Sequence, residues 1–471
     1  MSDFSSSPLI HTVREITDQN APQPQWSWDL RFKVLPESGM DFQDSDLART
    51  PEEKEGFFIP VAFTNLDFLG DFEKGFCDHV NCSITVAAGL WLKVLAPHRE
   101  HLRINLVRER RVSQGGPTDM EEDPLVFVFK PIFKDNAEAY ETISETIKLS
   151  RTELDLRDLL TLDVDLLDAA TEAIQSATCG GIWRDAKAAD VLQMVYNDVC
   201  SQMEYEGERL IAGQVISDRT NETARKHITV RAGTPLVDLP MLLQGDQGGI
   251  WPTGCSRFLS GKTWYFYPPY DTTRVNRERF TLTIVKIPDV AGTGAKHTYL
   301  KDGDQVKILA ASDSQIQDMT QRNFLSQGDG LRFSKAGSVM DDWLEVKDNK
   351  AVAKRSHTNS EVRIKAEGQT DHRTYNSDKR FTDNPYQQYS VLAARRGQLL
   401  SFSWSYADHT LIRPGMACRV LYEVEQEIKE LHGVVVGRQA AIQATESAAA
   451  IGNHVTSCAL FVFCNEAQET Q

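Results

Sequence analysis

The stretch Leu400-Ser-Phe-Ser-Trp-Ser-Tyr406 alternates large apolar residues with serine. Because successive side chains of a β-strand leave opposite faces, this period of two predicts a half-buried strand. A turn at Ile412-Arg-Pro-Gly-Met416 follows, and further strands are predicted at Cys418–Val424, Ile428–Gln439 and Val455–Cys464. Four strands joined by short connections predict an antiparallel meander or small barrel at this end of the chain.

The totals predict several domains in a globular chain. With 471 residues, the chain exceeds what one hydrophobic core supports, and roughly three domains of ordinary size are expected. Its 41% apolar and 25% charged residues are typical of globular proteins. No apolar run approaches the ~18 residues that span a bilayer. The first residues, Met1-Ser-Asp-Phe-Ser-Ser-Ser7, carry no secretory signal pattern, so we expect no contact with a membrane.

The chain is strongly acidic, with 67 acidic and 51 basic residues and a net charge of −16. Proteins that grip nucleic acid need a basic surface to displace counterions, so this balance argues against that class. Self-repulsion that keeps the protein in solution is the simplest account of the charge. An acidic surface past which DNA moves without sticking is the alternative, and the sequence leaves both open.

Four segments follow one another along the chain. Residues 1–24 are polar and predict a flexible N-terminal arm, and residues 25–135 predict a first β-unit of five or six strands. Residues 278–471 predict a second β-unit with a polar insertion at 312–389. The apolar or alternating runs behind the first unit are Phe57–Phe63, Ser83–Val94, Leu102–Leu106 and Leu125–Phe129.

Residues 136–277 predict a mixed α/β unit, because their apolar residues recur at helical spacing. Helices are predicted at Ala137–Leu149, Leu156–Ala170, Asp185–Met203 and Leu236–Leu243. Asp185 is the predicted N-cap of the third helix, which has the clearest apolar stripe. The fold class expected for the whole chain is α+β, mostly β, with two β-units flanking this middle unit.

The sequence contains no strong catalytic or metal-binding signature. Asp163-Val-Asp165 could hold a divalent ion, but a solvated face of a leucine-rich helix accounts for it better. His98 and His101 flank a turn, and Gly292-Thr-Gly294 predicts a turn as well. Carboxylates are numerous, yet no two of them are marked as the pair that a glycosidase needs. We therefore predict no catalytic residues, no metal ligands and no cofactor.

Eight cysteines are scattered through the sequence, at positions 77, 82, 179, 200, 255, 418, 458 and 464. Without a secretory signal, they are expected to be reduced thiols, several of them in apolar strands or helices. Cys77-Asp-His79 with Cys82 lacks a second ligand pair at zinc-finger spacing, so a metal site is not expected there.

Aromatic residues cluster at Trp251 and at Trp264-Tyr-Phe-Tyr-Pro-Pro-Tyr270. Such a cluster could form a platform for a sugar or a base. A buried strand followed by a proline turn is the favoured interpretation, because Trp264–Tyr267 is continuously apolar. A contact between subunits is the main alternative.

Several stretches together resemble the baseplate hub proteins of contractile-tailed (myovirus-type) phages. They are Pro60–Asp67, Asp78, Gly89, Pro97–Val107, Gly249–Gly254, Trp264–Arg274, Asn384-Pro-Tyr386, Leu411–Met416, Lys429–Gly437 and His454–Cys464. The resemblance covers most of residues 55–300 and 385–465. The polar insertion carries none of it.

The resemblance implies a structural virion protein rather than an enzyme. In that family, each chain carries two tail-tube-like β-barrels side by side, and three chains form a ring of six similar barrels. The ring joins the six-fold tail tube to a three-fold central spike. Implied partners are two further copies of the chain, a tail tube protein, a spike protein and other baseplate proteins, with DNA passing through the channel unbound. The implied location is the virion tail baseplate, after assembly in the host cytoplasm.

Two other functions remain open from the sequence. A tail-associated cell-wall hydrolase would need a cleft with two carboxylates or a nucleophile–base pair. A binding protein for host-surface carbohydrate would need Trp264 and Tyr265 exposed in a groove, whereas the hub interpretation buries them.

Overall fold

Strands make up most of the ordered structure in the computed structural model. It describes residues 8–19, 25–39, 42, 50–111, 124–134, 158–205, 207–218, 221–287, 297–312, 393–394, 397–424, 427–444 and 454–466, with the backbone of six short strands between 317 and 376. Strands β1 to β27 span Gln25–Val34, Phe57–Phe58, Ala62–Asp71, His79–Ala87, Leu102–Arg111, Leu125–Phe133, Leu159–Asp168, Thr178–Ala186, Glu204–Tyr205, Glu208–Arg209, Gly213–Ile216, Arg225–Pro235, Ser256–Ser260, Thr263–Tyr267, Thr281–Ile287, Tyr299–Asp302, Gln305–Ser312, Gln317–Asp318, Gly330–Ala336, Glu345–Lys347, Lys350–Val352, Thr358–Lys365, Tyr375–Asn376, Gln398–Ser405, Ala417–Val424, Glu427–Ala444 and His454–Glu466. Helices α1 to α6 span Pro8–Thr17, Pro51–Lys54, Ala88–Leu90, Ala169–Ser176, Ala188–Cys200 and Leu239–Gly245. No helix in these described ranges is long and apolar enough to cross a membrane.

The alternating stretch that opens this section lies in β24, where Leu400, Phe402 and Trp404 point into a closed barrel. Its six strands follow the order β24, β17, β15, β25, β26 and β27, and β27 pairs back with β24. The barrel prediction is confirmed, whereas a meander of the last four strands is wrong. Strand β24 does not pair with β25, because β15 and β17 lie between them, with β15 parallel to both β17 and β25.

The first β-unit is a sheet of seven strands in the order β3, β4, β7, β6, β5, β1 and β2. The sheet curls, so that the ring of Trp28 in β1 lies 6.1 Å from the ring of Phe68 in β3. The long strand predicted over Ser83–Val94 is wrong beyond Ala87. The chain there turns into α3 and one further helical turn, which buries Val94 and leaves Leu92 exposed.

The helix predicted over Leu156–Ala170 is also wrong. Strand β7 occupies Leu159–Asp168 and pairs with β4 and β6. Its inward residues alternate strictly and meet apolar residues of β4 across the sheet: Leu160, Leu162, Val164 and Leu166. The leucines of this segment are spaced closely enough to suggest the apolar stripe of a helix, but here they alternate along a β-strand. Residues 137–149, predicted to be helical, lie outside the described residues.

The middle unit packs α5 against the three-stranded sheet of β11, β14 and β13, with the two-stranded ribbon of β8 and β12 beside it. The predicted apolar stripe of α5 is confirmed, since Val191, Leu192 and Val195 are buried. The helix begins at Ala188, so the N-cap predicted at Asp185 is wrong; Asp185 has a positive φ of 49° and precedes the helix. The short helix predicted at Leu236–Leu243 is present. The domain divisions at residues 135 and 277 stay a prediction.

The N-terminal stretch expected to be a flexible arm contains α1. Ile16 is fully buried against Val285 and Leu309 on the outside of the closed barrel. Lys307 of the barrel donates to Glu15 at 2.7 Å. The expectation is therefore wrong for Pro8–Thr17, because apolar residues one helical turn apart find an apolar strip on the barrel.

The polar insertion contains two small sheets of its own. One consists of β19, β22 and β23, and the other is the pair of β20 and β21. Strand β18, at the start of the insertion, adds to β24 of the barrel.

Candidate functional site

Strand β26 joins the closed barrel to the first β-unit. Residues Glu427–Val434 pair with β25 of the barrel, whereas Gly437–Gln443 pair with β3 of the first sheet. Strand β27 lies along the opposite edge of β26 beside both segments. A register shift between Val435 and Gly437 marks the change of partner. One strand edge thus serves both units, which share a single hydrogen-bonded surface.

Two arginine–carboxylate pairs cross this junction in opposite directions. Arg438 of β26 donates to both carboxylate oxygens of Asp78, at 2.9 and 2.8 Å, just before β4 of the first unit. Arg108 of β5 in the first unit lies 2.7 Å from the carboxylate of Asp408 in the barrel unit. Both arginine side chains are almost fully buried. Each unit therefore supplies one arginine and one acid, and neither charge can be left alone without a large desolvation penalty.

Glycine makes the approach of Asp78 possible. Gly70 lies opposite Arg438 in the register of β3 and β26. A Cβ atom at Gly70 would stand 2.7 Å from Asp78 Oδ1 and 2.6 Å from the Phe72 ring. Any larger residue would therefore displace the carboxylate that pairs with Arg438.

His409 lies between the two ion pairs. Its ring stacks on Trp28 at 5.9 Å and contacts Phe68 at 4.9 Å between ring centroids. Arg438 donates to its backbone carbonyl at 2.9 Å. Burial, with the nearby positive charges of Arg438 and Arg108, holds the pKa of His409 well below its ordinary value. The imidazole is therefore a neutral packing group of the junction.

The middle unit is attached at the same place. Arg274 donates to Ser217 Oγ at 2.8 Å in the middle unit and to the Gly415 carbonyl at 3.0 Å in the barrel unit. The Tyr267 hydroxyl donates to the Phe72 carbonyl at 2.5 Å in the first unit. Gly415 has a φ of 65°, and a Cβ there would lie 2.1 Å from the Tyr267 ring. The predicted turn Ile412–Met416 thus requires its glycine to pack against the middle unit.

The aromatic cluster predicted from the sequence belongs to the core. Trp251 is 1% exposed and Trp264 is fully buried, with its ring 5.1 Å from that of Tyr196. Thr263–Tyr267 is strand β14, as the favoured interpretation expected, and Tyr265 is half-buried. A fully buried Trp264 offers no platform to a sugar.

The other candidate residues lie apart from one another. Asp163 accepts from Ser83 Oγ at 2.6 Å, and Asp165 pairs with Lys134 at 2.9 Å, both on the outward face of the first sheet. All eight cysteines are free thiols, and burial raises the pKa of Cys255 to about 12. Among the described residues, no cluster of His, Cys, Asp and Glu could hold a metal ion. Gly292–Gly294 and Asn384–Tyr386 lie outside the described residues.

The junction residues were missed by the sequence analysis, although the strand register carries a signal for two of them. Arg108 has the same parity as the buried Leu102, Ile104 and Leu106, so it points to the apolar side of β5. Arg438 likewise shares its parity with Ala440 and Ile442. An arginine on the inward face of a strand predicts a buried partner. The sequence does not identify that partner, since 360 residues separate Asp78 from Arg438.

Comparisons were made with protein families, curated proteins and solved structures. No protein-family model matches it, and no curated protein is similar to it in sequence. The 43 kDa tail protein of prophage MuSo2 from Shewanella oneidensis is 7% identical, with 92% of this chain and 98% of that chain covered and a TM-score of 0.40. A chain of a Francisella PdpA–VgrG complex is 9% identical, with 98% of this chain and 62% of that chain covered and a TM-score of 0.41. A chain of the P2 virion baseplate is 10% identical, with 94% of this chain and 100% of that chain covered and a TM-score of 0.33. Tail and baseplate proteins are thus among the structural neighbours of this chain.

Proposed function

We propose that this chain is a structural, non-enzymatic virion protein: the baseplate hub of a contractile phage tail, which trimerises into a pseudo-six-fold ring between tail tube and spike. The observation that carries the proposal is the junction itself. One chain holds a closed barrel and a curled sheet edge to edge through β26. Three such chains would present six barrel-like units in one ring, and closed symmetry limits growth to a defined oligomer.

The junction suits a part that bears load. A continuous sheet and two reciprocal buried ion pairs couple the units, so relative motion would break hydrogen bonds and expose buried charge. Units joined by an ordinary polar interface would instead move against each other. A hub between tube and spike needs the rigid arrangement, because force applied to one unit must reach the next.

The outward face of the joined sheet suits a channel for DNA. Asp67, Asn81 and Asp165 form one cross-strand row on this face, and Ser83 and Asp163 belong to the next row. These side chains are acidic or neutral, and only Lys134 and His79 pair with them from the described neighbours. Such a face repels the phosphate backbone and lets DNA pass unbound.

The experiment is a measurement of mass in solution. Sedimentation velocity of the purified chain should show a species of three times the chain mass of 52.9 kDa. Pull-down with tail tube and spike proteins from the same particle should retain both at the ring. A chain that stays monomeric at every concentration reached, or that cleaves peptidoglycan through one of its carboxylates, would overturn the proposal.

A further inference from the structure

The ribbon of β8 and β12 carries an exposed basic face with an apolar centre. Ile182 is 69% exposed and lies opposite Thr229, while Arg184 lies opposite His227. Arg231, two residues beyond Thr229, is exposed as well, at the start of the irregular stretch between Val230 and Thr234. Neither Arg184 nor Arg231 forms an ion pair with another described residue. In a chain of net charge −16, a face with two unpaired arginines around an exposed isoleucine marks an interaction surface.

The outer face of α5 has the opposite charge and a similar centre. Asp190, Met194 and Asp198 follow at intervals of four residues, so they share one face of the helix. Met194 is 48% exposed, and a shallow depression of about 510 Å³ runs along this face. The inner faces of the ribbon and of α5 pack into the same core, so both charged faces point away from that core.

The two faces match in spacing. Asp190 and Asp198 are eight residues apart on a helix, which at ~1.5 Å per residue is about 12 Å. Arg231 lies four residues beyond His227, the partner of Arg184, which at ~3.3 Å per residue is at most about 13 Å along the strand. Each face thus has an exposed apolar side chain between two charged ones. The charges are basic on the ribbon and acidic on α5, and their spacing is similar on the two faces.

We propose that the ribbon face of one copy docks on the α5 face of the next copy, with Ile182 set against Met194 and the arginines against Asp190 and Asp198. Because the two surfaces differ, the contact is head-to-tail, and three copies joined in this way form the proposed ring when the rotation between neighbours is one third of a turn. This inference rests on the proposed assembly and names the surfaces that build it.

Charge reversal tests the contact. R184E/R231E and D190K/D198K should each move the assembly midpoint to about tenfold higher concentration or more, since like charges then face each other. The quadruple variant R184E/R231E/D190K/D198K should restore assembly. I182A, which removes an exposed side chain, should weaken assembly without changing the melting temperature. K93E/K301E, which lowers the net charge by as much as R184E/R231E but lies outside the middle unit, should assemble like the natural chain.

Sedimentation velocity reads the assembly, and circular dichroism confirms that each variant is folded. The oligomeric state of the natural chain tests the proposed function separately, because a chain that is always monomeric would refute the proposed hub. Given an assembling natural chain, folded double variants that assemble normally would overturn the proposed contact. A folded quadruple variant that fails to assemble would overturn it as well.

Discussion

The junction pair of Arg438 and Asp78 gives the most direct prediction about stability. Asp78→Asn removes the negative charge and leaves the Arg438 guanidinium buried with the carbonyl oxygens of His409 and Ile412 as partners. Removing one member of a buried ion pair costs about 3–5 kcal/mol. Because the Asp78 side chain is 17% exposed, we expect the lower end, about 3 kcal/mol.

Urea unfolding followed by circular dichroism measures the loss, and hydrogen exchange along β3 and β26 locates it. The matched control is Asp163→Asn, an aspartate of the same sheet that faces outward and bonds to Ser83. A surface change of this kind should cost about 0.5 kcal/mol or less. Adding Arg438→Met to Asp78→Asn should cost about 1–3 kcal/mol less than the sum of the single changes, because the uncompensated charge is gone.

Equal losses in Asp78→Asn and Asp163→Asn would refute the reasoning. Unchanged exchange of the β3 and β26 amides in Asp78→Asn would refute it too, since the pair would then not hold the two units together.

Three further predictions concern other parts of the molecule. Burial raises the pKa of Asp168 from 3.8 to about 6, although two backbone N–H donors act to lower it, so the folded state loses stability as the pH rises through this range. Asp168→Asn keeps the cap of α4 and removes the charge. It should raise the free energy of unfolding by about 2 kcal/mol at pH 7.5 and leave it unchanged at pH 4, as measured by urea unfolding at the two pH values. Gly415→Ala should cost about 3 kcal/mol, because the methyl group meets the Tyr267 ring at a positive φ, and thermal unfolding measures it. Ile16→Asp should release α1 from the barrel, seen as fast hydrogen exchange over residues 8–19 with little change in the barrel strands; protection equal to that of the natural chain would contradict the docking.

The sequence predicts individual strands well where one face is apolar and the other polar. The alternation predicts the strand correctly over Leu400–Ser405 and over Leu102–Leu106, since alternation is a local property. Tyr406, expected on the same inward face, is instead exposed at a positive φ of 51°, just after the strand ends. The pairing of these strands is not local. Strands β15 and β17 enter the barrel from beyond an insertion of roughly 80 residues, and nothing near Leu400 indicates that they separate β24 from β25.

Closely spaced leucines are where the local pattern misleads. The run from Leu156 to Ala170 satisfies both a helical stripe and an alternating strand, and the choice is made by Val86, Ile84 and their neighbours across the sheet. At the junction, too, contacts with residues distant in the sequence decide the structure. Arg108 and Arg438 stand out by register, but their acids, Asp408 and Asp78, come from the other unit, so only the assembled fold brings each pair together.

An electron cryomicroscopy map of the purified assembly tests the central claim most directly. We expect a ring with three-fold symmetry in which six barrel-like densities alternate, joined in pairs by the continuous strand at residues 427–444. A particle in which the closed barrel and the curled sheet of one chain are separate and variably oriented would contradict the account.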